Sequence, residues 1–453
     1  MSGSSTNTAK QSGTANEPSL RRVLTLGDLI WYGIILIQPI AAVPLFGVAD
    51  RLSEGHVVTT IAIAMVAMML TAISYGAMAT VYPTAGSAYT YVGRGLNLHL
   101  GFLTGWAMVL DYFMIPILNC IYGALTLNRL FPTVPYLVWA ALFVLIITGL
   151  NLIGVQATAR TNQILLIAMS LVIGVFVVVA IEYVARIHGI AGIVSVTPFY
   201  APGTFHLSSI TTATSLAALT YVGFDGITTL TEEARNPKRD IMRATVLVCL
   251  LTGILSGLQV YLAQLVWPDY RTFTNFDTAF LDVAMRAGGQ SLFTAFAVIL
   301  VLASLGSGLA GQAGAARLLL GMGRDRALPP RIFGHVGARS RVPTYNLLLL
   351  GAVSFCGASL LSFERAADLV NFGAFLAFIG VNVVAVRYFH AQGKRSASWM
   401  AGAGAVFCVL IWWNLPTPSK IAGFLWLGLG LVYLAVLTRG FRREPMGMDA
   451  IGR

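Results

Sequence analysis

The sequence predicts an all-α integral membrane protein, and three observations carry that prediction. Hydrophobic residues make up 57% of the chain, charged residues 10%, and the mean hydropathy is +0.77; a soluble domain carries roughly 25% charge. Apolar runs recur from residue 26 to residue 438 at the length of about 20 residues that a spanning helix needs. Lysine and arginine are shared unevenly among the connections between those runs.

Twelve spans are expected, at 26–48, 57–80, 100–127, 136–153, 162–186, 208–231, 240–266, 291–321, 345–361, 367–389, 399–414 and 421–438, with 277–288 as a short external helix. An even number puts both termini on one side. With the N-terminus inside, 22 Lys and Arg fall on the cytosolic side and seven outside: Arg51, Arg129, Arg186, Arg271, Arg286, Arg365 and Lys420. This is the positive-inside bias. It places the chain in the cell inner (plasma) membrane with both termini cytoplasmic, and it explains the net charge of +11 with no nucleic acid as partner.

Residues 1–22 read as a disordered cytosolic tail, lacking the early apolar core of a signal peptide, and 441–453 as a second tail. Cys120, Cys249, Cys356 and Cys408 all sit in apolar segments, so no disulfide framework is implied. The six histidines are scattered. No zinc pair, phosphate loop or nucleophile elbow is present in the sequence, so no metal or other cofactor is expected.

In chain order, Thr25 to Asp28 forms a capping-box start for the first span. That span is interrupted between Gln38-Pro39 and Pro44, where each proline removes a backbone donor and blocks the preceding turn. The sixth span is interrupted at Gly223-Phe224-Asp225-Gly226. Breaks five helices apart fit two inverted repeats, 23–200 (helices 1–5) and 201–390 (helices 6–10), with helices 11 and 12 added at 391–440. Discontinuous helices at matching positions of two halves point to a midplane binding site; two unrelated kinks are the alternative.

Asp225 is the centre of that site. A carboxylate in mid-membrane is costly and normally faces protein or water. Desolvation favours the protonated carboxyl and an approaching ammonium the ionised one, so proton release and amine binding can exchange at one residue. Asp225 is therefore the proton-coupling candidate; the alternative is an Asp that hydrogen-bonds a neighbouring helix. Around it, Ile37, Gln38, Pro39, Ile40, Ala41 and Ala42, with Phe224 and Gly226, supply backbone groups freed by the two breaks, whose half-helix ends suit a carboxylate or an ammonium. Asp111 is either a second cation partner or relay member or a structural hydrogen-bonding group. Tyr112 and Tyr221 are candidate pocket or gate residues through cation–π attraction. Glu232 and Glu233, followed by Arg235, Lys238 and Arg239, form either an internal gate or a solvated charge cluster.

These residues resemble a known family. The first span, Tyr82-Pro-Thr-Ala-Gly-Ser-Ala-Tyr89, Gly223-Phe-Asp-Gly226, Glu232-Glu233, Asn236-Pro237 and Met322-Gly-Arg-Asp325 are similar to the amino acid–polyamine–organocation permeases, over residues 20–443. Tyr32-Gly33, Gln38-Pro39, Leu110-Asp-Tyr112, Val301-Leu-Ala-Ser304 and Asn371-Phe-Gly373 resemble the bacterial putrescine importer branch. The resemblance implies alternating access, a pocket lined by helices 1, 3, 6, 8 and 10, and coupling to protons more often than to sodium. It makes Ser304 and Ser307 a possible ion site; the alternative reading groups them with Gly308, Gly311 and Gly314 as packing residues. Two departures stand out: Pro44 occupies the place of an acid in the broken first helix of the putrescine importers, and Ile164–Ile173 lacks the lysine of the cationic amino-acid carriers.

The expected function is import of a small amine-bearing solute, an amino acid first and a polyamine or ethanolamine-type amine second, by proton symport through the lipid bilayer. An enzyme would need a catalytic constellation that the sequence lacks. An amine sensor without transport would need a large soluble domain. A passive facilitator stays open, as does the oligomeric state.

Overall fold

The computed structural model describes residues 22–83, 87–154, 159–324, 328–337 and 340–442. Most of both expected tails, part of the Tyr82–Tyr89 motif, and Asp325 with Arg326 lie outside the described residues. The described chain is built from helices, and its elements follow the hydrophobic runs. They are α1 (Leu26–Ile37), α2 (Phe46–Leu52), α3 (Val57–Val81), α4 (Ser87–Gly95), α5 (Leu98–Leu130), α6 (Tyr136–Leu152), α7 (Ala159–His188), α8 (Leu207–Ala217), α9 (Pro237–Val266), α10 (Ala279–Arg324), α11 (Pro330–Phe333), α12 (Thr344–Leu360), α13 (Phe363–Ala391), α14 (Arg395–Trp413) and α15 (Thr417–Leu437). Among the described residues, eight helices are long and apolar enough to cross a membrane, and Leu26–Ile37, Tyr136–Leu152 and Thr344–Leu360 are shorter apolar helices.

The local reasons are those of the sequence. Thr25 and Asp28 close the capping box of α1, each bonding the other's backbone amide. A short helix exists at 279–288, where one was expected, set off from 290–324 by Gly289, whose φ of 69° breaks the run. The short helix α4, nearly without apolar character, was not expected.

Burial sorts the helices by depth. In α13, 67% of the apolar window is buried, against 22% in α14 and 17% in α15. The last two helices thus line the outside of the bundle, where lipid replaces protein contacts. α15 is fastened to α5 by Trp106 and Trp426, whose indole N–H groups donate to each other's carbonyl at 2.9 Å while the rings stack 5.0 Å apart. Gly430 makes room for this pair: a Cβ there would lie 2.3 Å from Trp106 Cδ1.

Candidate substrate site at the crossing of two broken helices

α1 stops at Ile37 because Gln38 takes a φ of 69° and Pro39 has no N–H to continue the ladder. The chain turns through 38–45 and resumes as α2. α8 gives way to a 3-10 turn at Ala218–Tyr221, then to Gly223 at φ 114°, then to a second 3-10 turn, Phe224–Leu230. Only glycine takes the backbone angle of Gly223 at low cost.

The two interruptions touch. A Cβ on Gly33 would lie 2.6 Å from Ile227 Cδ1, one on Gly226 2.6 Å from Leu36 Cδ1, and one on Gly223 3.7 Å from Ile37 Cγ1. Missing side chains on both sides let the end of α1 sit against the turn that carries Asp225.

Asp225 is half-buried. Asp111 on α5, Tyr75 on α3, Tyr91 on α4, Tyr112 on α5 and Tyr32 on α1 all lie within its electrostatic reach. Among the described residues no Lys or Arg acts on Asp225 or Asp111. Among the described residues, Asp111 Oδ1 is buried with no hydrogen-bond partner, as is the hydroxyl of Tyr75, while the Tyr91 hydroxyl bonds Thr228. α13 holds Asp111 in place: a Cβ on Gly373 would meet the Ala107 carbonyl at 2.5 Å and the Asp111 amide at 3.3 Å. The arrangement is a carboxylate pair edged by tyrosines, with polar atoms awaiting a partner.

Several expected roles change. Tyr221 does not line an opening: it is fully buried and its hydroxyl donates to the Ile61 carbonyl at 2.9 Å, tying the turn to α3. Phe224 is likewise buried, its ring 5.5 Å from Tyr75 and 5.3 Å from Phe378, so it anchors the turn. Three successive carbonyls at the first break are taken. The Pro39 carbonyl accepts from Gln259 Nε2 at 2.9 Å, Gln38 O accepts from Ala41, and Ile40 O accepts from Val43. Ala42 is buried beside them. Ser307 accepts from Asn119 Nδ2 at 3.1 Å, a tie between α10 and α5; Ser304 is buried, one residue on from Ala303, whose carbonyl accepts from Gln38 Nε2.

Glu232 and Glu233 lie close to the start of the chain's described residues. Among the described residues, no ion pair joins Glu232 or Glu233 to Arg235, Lys238 or Arg239. The contact at this place is made of backbone: Val23 N and Leu24 N donate to Glu233 O, Arg235 N donates to Leu24 O, and Leu24 and Ala234 form a parallel bridge. Arg235 Nε adds a bond to Val23 O at 3.0 Å. Among the described residues no group of three His, Cys, Asp or Glu stands close enough to hold a metal. Tyr75, Tyr91 and Gln259 escaped the sequence reading; polar side chains inside an otherwise apolar span were the available signal.

The comparisons agree with this architecture. Residues 34–435 match the family described as amino acid permease. The low-affinity putrescine importer PlaP of Escherichia coli K12 is 31% identical over 431 residues, 93% of this chain and 95% of that protein. The branched-chain amino acid permease BcaP of Bacillus subtilis is 25% identical over 462 residues, 94% of this chain and 95% of its own. In fold, the crystal structure of the Eremococcus coleocola manganese transporter, in complex with an aromatic bis-isothiourea substituted compound, aligns with a TM-score of 0.55 at 14% identity, covering 90% of this chain and 94% of that one. A membrane bundle with two touching breaks, a family match over most of its length and relatives that are permeases together place the chain: it belongs to the amino acid permease family.

Proposed function

We propose that the protein is a secondary active permease that imports a small amine-bearing solute in symport with protons. The observation that carries this reading is the pair Asp225 and Asp111, within reach of each other, with no basic side chain acting on either. Two carboxylates in that setting favour an ammonium, which supplies the charge and donors they lack, and tyrosine faces add cation–π attraction. Among amines, a polyamine-type cation matches this charge balance, and the putrescine importer named above supports the same choice. An amino acid, the first expectation from sequence, finds less support at the Phe224–Leu230 turn, where the backbone of Gly223, Asp225 and Gly226 already bonds the Asp225 carboxyl.

In this reading the bundle has twelve spans, α1 with α2 and α8 with its following turns being the broken ones. Five spans repeat inverted, α14 and α15 are the addition, and the N-terminus is cytoplasmic. Asp225 exchanges its proton for the substrate ammonium; Asp111 and the tyrosines hold the substrate; Ser304 is the remaining candidate for a coupling-ion contact. The peptide clasp between 23–24 and 233–235 is the inner closure.

The test is uptake by purified protein in liposomes under an imposed proton gradient, with putrescine, ethanolamine and a panel of amino acids. Gradient-driven uptake of putrescine above the amino acids is the expected result. Binding without uptake of any compound would reject the permease reading in favour of a sensor.

A further inference from the structure

A third carboxyl, away from the substrate site, has unusual surroundings. Asp50 lies on α2 and is 1% exposed. Its Oδ1 accepts from Gln264 Nε2 of α9 at 2.7 Å, and the same nitrogen donates to the Gly55 carbonyl at 2.6 Å. Both amide hydrogens of Gln264 are thereby used. Asp50 Oδ2 and Gln264 Oε1 remain, both buried and both without a partner. They sit on groups already joined by one hydrogen bond, and as two acceptors they cannot satisfy each other.

A buried ionised carboxylate needs a counter-charge, and none is at hand. Arg51, the next residue, donates to Glu364 at 2.7 Å and lies over Phe276; Asp277 faces that same pair. Arg271 lies over Tyr270, and Glu54 accepts from Ser209 and pairs with His206. His56 is committed at both nitrogens, Nδ1 to the Ser53 carbonyl and Nε2 to the Ala201 amide. On α10, Asp282 pairs with Arg129. Among the described residues no charged group bonds Asp50.

We propose that Asp50 is a proton-binding site distinct from Asp225: the proton sits on Oδ2 and is donated to Gln264 Oε1, so that acid and amide close a two-bond ring. One proton satisfies both orphaned atoms. The ring fastens α2, the second half of the first broken span, to α9, whose Gln259 already holds the Pro39 carbonyl at the other end of the break. Loss of the proton sets a carboxylate against an amide oxygen and frees α2. That this end faces outward rests on the orientation proposed above; the proton site itself does not.

The experiment is infrared difference spectroscopy of the purified full-length protein at neutral pH, wild type against Asp50→Asn, with Asp225→Asn as control. The expected result is loss of one protonated-carboxyl carbonyl band in Asp50→Asn that survives in Asp225→Asn, and its disappearance from wild type as pH is raised. No band difference means that Asp50 is ionised and overturns the proposal. Failure of Asp50→Asn to fold also counts against it, because asparagine reproduces both hydrogen bonds of the ring. Neither readout depends on transport, so a permease that moves no amine would leave this result standing.

Discussion

Gly33 and Ile227 meet where the two broken spans cross: a Cβ on Gly33 would fall 2.6 Å from Ile227 Cδ1 and 2.8 Å from Val248 Cγ2. Both atoms are side-chain ends, so alanine is accommodated by displacement, whereas a branched residue is not. Gly33→Val is expected to cost about 1–3 kcal/mol, as overpacking does, and to reduce uptake more than Gly33→Ala. Thermal unfolding in detergent and initial uptake rates check both. Equal behaviour of the two variants would mean the crossing is looser than the geometry requires.

Asp225→Asn removes the titrating group and keeps its shape. Accumulation of substrate against a gradient is expected to stop while the protein stays folded. Concentrative uptake at the wild-type level would remove Asp225 from the coupling role.

Asp111→Asn tests the second carboxylate. A hydrogen bond to a charged group is worth about 1.5–3 kcal/mol, roughly 10- to 100-fold in affinity. The apparent KM for a diamine should rise by that factor, and by less for a monoamine that Asp225 alone can hold. An unchanged KM for both would return Asp111 to a structural role.

Glu232→Gln and Glu233→Gln separate a charged gate from a peptide clasp. Exposed ion pairs contribute at most about 1 kcal/mol, so neither change should alter uptake by more than about fivefold. Leu24→Pro, which deletes one of the two N–H groups donating to Glu233 O, is expected to raise substrate leak from loaded liposomes. A leak in the glutamine variants instead would restore the ionic gate.

Glu54, in the turn between α2 and α3, has its carboxyl held below the usual value of 4.5 by the Ser209 hydroxyl and His206. A lowered folded value means the contribution is fully present above the unfolded pKa and is lost as pH falls through the folded one. Protection of residues 206–209 against hydrogen exchange, relative to the intrinsic rate at each pH, should therefore hold from neutral pH down to about 4.5 and fall below it. Glu54→Gln should remove that acid limb.

Much of the fold was legible because lipid leaves few options: a run of about 20 apolar residues is a helix, and every expected span falls on a described helix or helix pair. The two breaks were legible from Pro39 and Pro44 and from Gly223 and Gly226, residues whose backbone chemistry is local. What escaped was partnership. Tyr221 and Tyr75 look alike in sequence, yet one hydroxyl is spent on Ile61 and the other is free; only packing separates them. Glu232 and Glu233 suggested charge pairing, while the contact formed through peptide groups, which no side-chain pattern announces. α4 was missed because its residues lack the apolar periodicity that marks an element.

The Trp106–Trp426 stack has a practical consequence. Two indoles held 5.0 Å apart at a fixed angle form a chromophore pair whose near-ultraviolet circular dichroism depends on their mutual orientation. One ring rides on α5, which carries Asp111, and the other on peripheral α15. A displacement of α5 relative to α15 twists that pair, so the protein carries its own label-free reporter of that motion, readable in lipid without modifying a residue.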